Sequence, residues 1–169
     1  MTPPMLRQMR HDVWATGKLL ERCRSLTNEQ LQLTAEGTYG SIQKTFAHIV
    51  RANEGYLNTY GVIPQPFIDL TASVDEIASR LARVRDAVEE LFKSKELDFD
   101  RRLHDERRKM DLELWVPLVQ FAHHGSDHRS QIGTILTLHG LEAPELDVWA
   151  YATAEGAIKG LLARRRMSE

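Results

Sequence analysis

The sequence predicts an all-α bundle, and three observations carry that prediction. Long segments repeat apolar residues every three and four positions, the period of one face of an α-helix. Capping residues and glycines punctuate the ends of those segments. Only one stretch, KELDFDRRLHDERRKMDLEL, alternates even in part, so no large sheet is expected. At 169 residues the chain suffices for one domain with a real core, and no low-complexity join divides it. Residues 1–169 are therefore expected to form a single domain.

The elements follow in order. Pro3 and Pro4 mark a helix start, and Leu6, Met9, Val13, Leu20 and Cys23 then fall close to the helical repeat, with Gly17 as an unfavourable interior residue. Thr27 and Gln30 stand in the positions of a capping box, which predicts a short helical turn from about Thr27. Ser41 is a suitable N-cap and Gly61 a suitable stop for the next helix, whose apolar face is Ile42, Phe46, Ile49, Val50 and Leu57. VIPQPFIDLTA has two prolines and reads as a connection. Ser73 and Glu76 form another capping box, ahead of the clearest amphipathic run: Val74, Ile77, Leu81, Val84, Val88 and Leu91. The partly alternating stretch after it reads as a loop with two short strands. Trp115 to His139 is a long helix, with Pro117 tolerable in its first turn and Gly140 at its end. LEAPELD turns the chain into a last helix, VWAYATAEGAIKGLLARRR, whose basic end complements the helix dipole.

Composition excludes several functions. Basic residues number 22 against 24 acidic, so no nucleic-acid surface is indicated. Hydrophobic residues at 42% are too many for a disordered chain. Nowhere do 18 apolar residues run without charge, and the N-terminus lacks the apolar segment of a signal peptide, so a cytoplasmic protein that does not enter a membrane is expected. The single cysteine, Cys23, excludes an intramolecular disulfide or a cysteine-rich zinc ribbon, and its neighbours Leu19, Leu20 and Leu26 suggest a core thiol. No phosphate loop, nucleophile elbow or dinucleotide fingerprint is present.

What remains is HHGSDHRSQ, residues 123–131. On a helix His124 and His128 stand one above the other, whereas His123 points about 100 degrees away. Two such imidazoles can share one divalent ion, and nitrogen donors suit zinc, nickel, copper or iron. Two ligands do not complete a site, and HxxxH also arises often by chance. His48, set among Ala47, Ile49 and Val50, is the best third candidate, because an unpartnered ring near an apolar stripe is costly. His11, His104 and His139 read more simply as surface or capping residues. Arg129 and Asp127 could form an ordinary exposed pair, while Gln131 lies on the ligand side, where it could orient a ligand or bound water.

These residues give the chain a resemblance to the DinB family, also called DinB/YfiT-like, over nearly its whole length. WATGKLLERCRSLTNEQL resembles the family's opening phrase, GSIQKTFAHIV its second-helix phrase around the first metal histidine, and HHGSDHRSQIGTILTLHGLEAPELDVWAY its closing HxxxHRxQI helix and proline turn. The resemblance implies a four-helix bundle with an extra C-terminal helix, a metal triad of His48, His124 and His128, accompanying roles for Arg129 and Gln131, and a homodimer. The stretch between Pro64 and Trp115 matches only loosely, so the substrate does not transfer. Zinc or nickel is the expected ion. Three neutral imidazoles leave a dication's charge uncancelled and a position open, which favours hydroxide, thiolate or carboxylate there. The resemblance therefore implies a metal-dependent enzyme activating a low-molecular-weight thiol, such as bacillithiol or mycothiol, for S-transfer to a small electrophile. The alternatives are a metal-dependent hydrolase and a non-catalytic, stress-linked metal-binding or interaction protein.

Overall fold

Four helices supply the frame: α1 (Pro4–Cys23), α3 (Ile42–Asn58), α4 (Val74–Lys93) and α5 (Trp115–Leu138). A computed structural model describes residues 2–93, 98–105 and 109–158. Its shorter elements are α2 (Asn28–Leu31), the strands β1 (Arg102–Asp105) and β2 (Met110–Glu113), and α6 (Val148–Ala154). The principal packing pairs are α1 with α4 and α5, and α3 with α4 and α5. The four therefore form a ring in the order α1, α4, α3, α5. The connection through α2 crosses one diagonal of that ring, and the connection through the strands crosses the other.

The apolar stripes read from the sequence fill the centre. Met9, Leu19, Ile42, Phe46, Ile49, Leu57, Ile77, Leu91, Phe121, Ile132 and Ile135 are all fully buried. Each such side chain contributes about 1.5–3 kcal/mol of transfer free energy. Cys23 lies among them, and burial pushes its thiol up to about 11, which leaves it inert at neutral pH. No helix among the described residues is long and apolar enough to cross a membrane.

The helix ends use the chemistry their residues offer. Thr27 and Gln30 form the reciprocal capping box of α2, Ser41 Oγ accepts from Lys44 N–H at the start of α3, and Ser73 Oγ accepts from Glu76 N–H at the start of α4. Gly140 takes φ +71°, and its own N–H and that of Leu141 bond back to Thr137 and Leu136, closing α5 one residue after His139. β1 and β2 pair antiparallel from Arg102↔Glu113 to Asp105↔Met110, matching the two short strands expected there.

The last helix differs from the expectation. Helix α6 stops at Ala154, because Gly156 adopts φ +67° and the N–H groups of Gly156 and Ala157 fold back onto Thr153 and Ala152. The apolar period runs through that glycine in sequence, but the backbone does not follow it. Residues 159–169, with the basic cluster, lie outside the described residues.

One polar contact ties α3, α4 and the proline-rich connection together. Glu54, fully buried, accepts from Arg80 Nε at 2.5 Å and from Ile68 N–H at 2.7 Å, while Arg80 also donates to Pro66 O at 2.7 Å. Removing the guanidinium strands a buried carboxylate. Arg80→Met should therefore lower stability by about 3–5 kcal/mol, read as a fall in the denaturation midpoint; a midpoint unchanged from wild type would show that the pair is dispensable.

Candidate metal centre

On α5 one residue step turns the helix by about 100 degrees, and the stretch 123–129 uses that step three ways. His123 and Asp127 face solvent and pair with each other at 3.2 Å. His124 and His128 face α3, and Gly125 and Arg129 face α1.

Toward α3, the structure brings His48, His124 and His128 together. One nitrogen from each lies within 4.8 Å of the other two, and all three rings are half-buried. His48 Nε2 faces His124 Nε2 at 3.0 Å. His128 is oriented from outside the triad: its Nδ1 meets Gln131 Oε1 at 3.0 Å, and the same oxygen accepts from Tyr39 N–H at 2.9 Å. A backbone N–H can only donate, so it fixes that atom as the amide oxygen. His128 must then carry a proton on Nδ1, so that in the neutral ring the lone pair is on Nε2. Burial, together with the charges of the neighbouring rings, depresses His48 and His124 to about 4, so both are neutral at neutral pH.

These residues fit a divalent transition ion. Nitrogens sharing one tetrahedral zinc at about 2.0–2.1 Å stand roughly 3.3 Å apart, close to the spacing of the two Nε2 atoms. His124 Nδ1 is buried with no hydrogen-bond partner, so the ring's one hydrogen bond is the contact of its Nε2 with His48. Among the described residues no carboxylate or thiol joins the three nitrogens as a fourth ligand. Tyr39 covers one side of the centre, its ring stacked on His48 at 3.9 Å and edge-on to His128 at 5.2 Å, and Tyr56 stands edge-on to His124 at 6.0 Å.

Toward α1, the sequence reading needs correction. Arg129 does not form an exposed pair with Asp127. It is buried, and its guanidinium donates to Asp12 Oδ1, to Asp12 O at 3.2 Å and to Thr16 Oγ1 at 3.0 Å. Burial raises the Asp12 carboxyl while the guanidinium opposes the shift. Gly125 makes this contact possible, since a Cβ there would stand 2.2 Å from Asp12 Oδ1 and 2.7 Å from Arg129 Nη1. Asp12 and Gly125 were not legible as site residues, although an interior glycine beside two ligand candidates was a signal of close backbone approach.

The remaining histidines serve as joints. His139 Nε2 meets Thr34 O at 3.2 Å, and His104 pairs with Asp111 across the strands. His11 is half-buried rather than superficial, bonded to Leu146 O at 2.8 Å and packed on Trp14 and Tyr151. Two prominent clefts, of about 580 Å³ between α1 and α4 and about 500 Å³ among α1, α5 and α6, touch no histidine of the triad. Donor chemistry locates this centre; cavity size does not.

A helical bundle with three imidazoles converging from two neighbouring helices defines a class of protein able to hold a metal ion at a seam. The family model for DinB matches residues 1–165, and the chain belongs to the DinB family. Its fold is similar to that of a DinB-like protein from Bacillus cereus ATCC 10987, with 20% identity over 83% of this chain and 94% of that one and a TM-score of 0.67. It is also similar to YfiT from Bacillus subtilis, a probable metal-dependent hydrolase with an unusual four-helix bundle topology. There the identity is 14% over 84% of this chain and 92% of that one, with a TM-score of 0.64. No curated protein matches the chain at a significant level.

Two glycines of α5 make a matched test of the α1 contact. Gly125→Ala should destabilise the protein by about 1–3 kcal/mol through overpacking, whereas Gly133, with nothing within 4 Å of an added Cβ, should gain up to about 1 kcal/mol as alanine. Thermal midpoints moving in the same direction for both would contradict the close approach of Asp12.

Proposed function

We propose that this protein is a metal-dependent enzyme in which His48, His124 and His128 hold a divalent transition ion, zinc or nickel by their donor type, and which transfers a low-molecular-weight thiol to a small electrophile. The observation that carries the proposal is the donor set itself: three imidazole nitrogens, with no fourth histidine, cysteine or carboxylate beside them among the described residues. Structural zinc sites are closed by four protein ligands, whereas catalytic ones keep a position open. When bound, the ion supplies Lewis acidity that stabilises the deprotonated form of a thiol or a water.

The chain's own residues prepare that chemistry. Gln131 holds His128 in the tautomer whose Nε2 is a donor, and burial keeps His48 and His124 neutral. Tyr39 shields one face of the rings. In the transfer, the thiol proton passes to solvent, a sulfur–carbon bond forms, and the leaving group departs with the electrons of its bond. No carboxylate stands with the triad as a base among the described residues, which suits a nucleophile that attacks as its anion. A second reading, metal-assisted hydrolysis, is favoured by the likeness to YfiT. The substrate in either case is a small molecule, and nucleic acid and membrane have no part in it. We place the protein in the cytoplasm as a homodimer with an isologous interface.

His48→Ala and His124→Ala should each strip most of the metal from purified protein, while His123→Ala should retain it, as measured by elemental analysis. Equal metal content in all four proteins would reject the triad. Metal-loaded wild type should accelerate conjugation of an electrophile to bacillithiol or mycothiol, and the apo protein should not. Metal-dependent ester or amide cleavage without conjugation would replace the first reading by the second, and retained metal with no turnover would make the protein a non-catalytic binder. Light scattering should give twice the chain mass at micromolar concentration; a monomer mass throughout would remove the dimer.

A further inference from the structure

Lys44 lies one turn before His48 on α3, so the two side chains share a face of the helix. Its stem is packed against the turn that precedes α3: a Cβ on Gly40 would meet Lys44 Cδ at 3.2 Å. Its ammonium stands 5.6 Å from the centroid of the Tyr39 ring, and Tyr39 in turn is stacked on His48. An aromatic face attracts an ammonium without cancelling its charge or consuming its donors.

Lys44 forms no ion pair among the described residues. The other charged side chains near the triad have polar partners of their own. Asp127 faces His123, Arg129 is bonded to Asp12 and Thr16, and Arg51 donates to Ile68 O. Lys44 thus has no carboxylate partner among the described residues, and its field reaches His48, being among the causes that depress it, while the Asp127 carboxylate acts in the opposite sense on His124. Imidazoles contribute no negative charge, so the side of the centre nearest Lys44 is positive before any ion enters.

We propose that Lys44 is a specificity residue of this centre, selecting substrates that carry a carboxylate, or an equivalent anionic group, beside the atom that meets the metal. The inference rests on the proposed metal centre and deepens it. A ligand with one coordinating atom and a second anionic group would satisfy both features at once, the first at the open position and the second at the ammonium. A neutral ligand of the same size would leave Lys44 to solvent.

The test compares two small thiols that differ chiefly in this respect, thioglycolate and 2-mercaptoethanol, titrated calorimetrically into zinc-loaded wild type, Lys44→Met and Lys44→Arg at low ionic strength. Zinc content is measured in every sample. Lys44→Met should weaken thioglycolate binding by about fivefold, the upper range for a partly exposed charge pair, and should leave 2-mercaptoethanol binding and zinc content unchanged. Lys44→Arg should restore most of the loss, and added salt should shrink the difference between thiols in wild type but not in Lys44→Met. Equal thioglycolate affinity in zinc-loaded wild type and Lys44→Met overturns this inference alone. An equal loss for both thiols overturns it too, by showing that Lys44 shapes the site rather than reading charge. Protein that takes up no zinc overturns the metal centre and this inference with it.

Discussion

The buried contact between Asp12 and Arg129 is the constraint on which the remainder of the centre depends. A buried ion pair is a poor source of net stability, since desolvating two charges offsets most of their attraction. Its consequence here is geometric. Arg129 directly follows His128, so fixing the guanidinium against α1 fixes the rotation of α5 about its own axis. One residue step is about 100 degrees, close to the right angle between the two neighbours of a helix in a four-membered ring. The phase that points Arg129 at α1 therefore points His128 at α3. Gly125 and His124 repeat the relationship one turn earlier, with the missing Cβ of Gly125 leaving room for the Asp12 carboxylate.

The other seams of the ring carry polar contacts of their own. Arg10 on α1 binds Glu89 on α4 through two contacts of 2.6 Å, and Glu54 on α3 binds Arg80 on α4. Each joins opposite charges and completes itself. The seam of α3 with α5 is of another kind, because three imidazole rings meet there with their nitrogens turned toward one another. A neutral imidazole carries one N–H, so the 3.0 Å contact of His48 Nε2 with His124 Nε2 is a hydrogen bond in one tautomer and a meeting of two lone pairs in the other, where a cation between them relieves the repulsion. On the far side of the same ring, His124 Nδ1 is buried and unpartnered.

How much of this was legible in the sequence follows from the separation of the partners. His124 and His128 are four residues apart, so the helical period suffices to pair them, and Gln131 is reached by the same period. His48 could be proposed because a polar ring beside an apolar stripe needs a partner, although nothing local says which. Asp12 and Arg129 are 117 residues apart, and no local pattern distinguishes a buried aspartate on the first helix from a polar residue near a terminus. Tyr39 was equally hidden: it lies in a turn without period, and its role arises only when the turn folds over His48. The break of the last helix at Gly156 was hidden for a related reason. Leucines continue the helical spacing beyond Gly156, but the end of α6 is decided by the backbone of that glycine, which a pattern of apolar side chains does not report.

The arrangement places rigidity and frustration on opposite faces of one helix. On the α1 face of α5 every contact holds position: a salt bridge, a hydroxyl and a glycine that admits them. On the α3 face the rings are held in place by groups that lie outside the cluster, Gln131 for His128 and the apolar surroundings for His48 and His124. A cluster that repelled itself on a loosely held helix would relax by rotating the helix; on α5 that rotation would break a buried charge pair, at a cost of about 3–5 kcal/mol. The three rings consequently stay convergent without help from any ligand. The protein thus presents a preformed set of donors at this seam, and the contact that holds them in phase lies on the far side of the same helix.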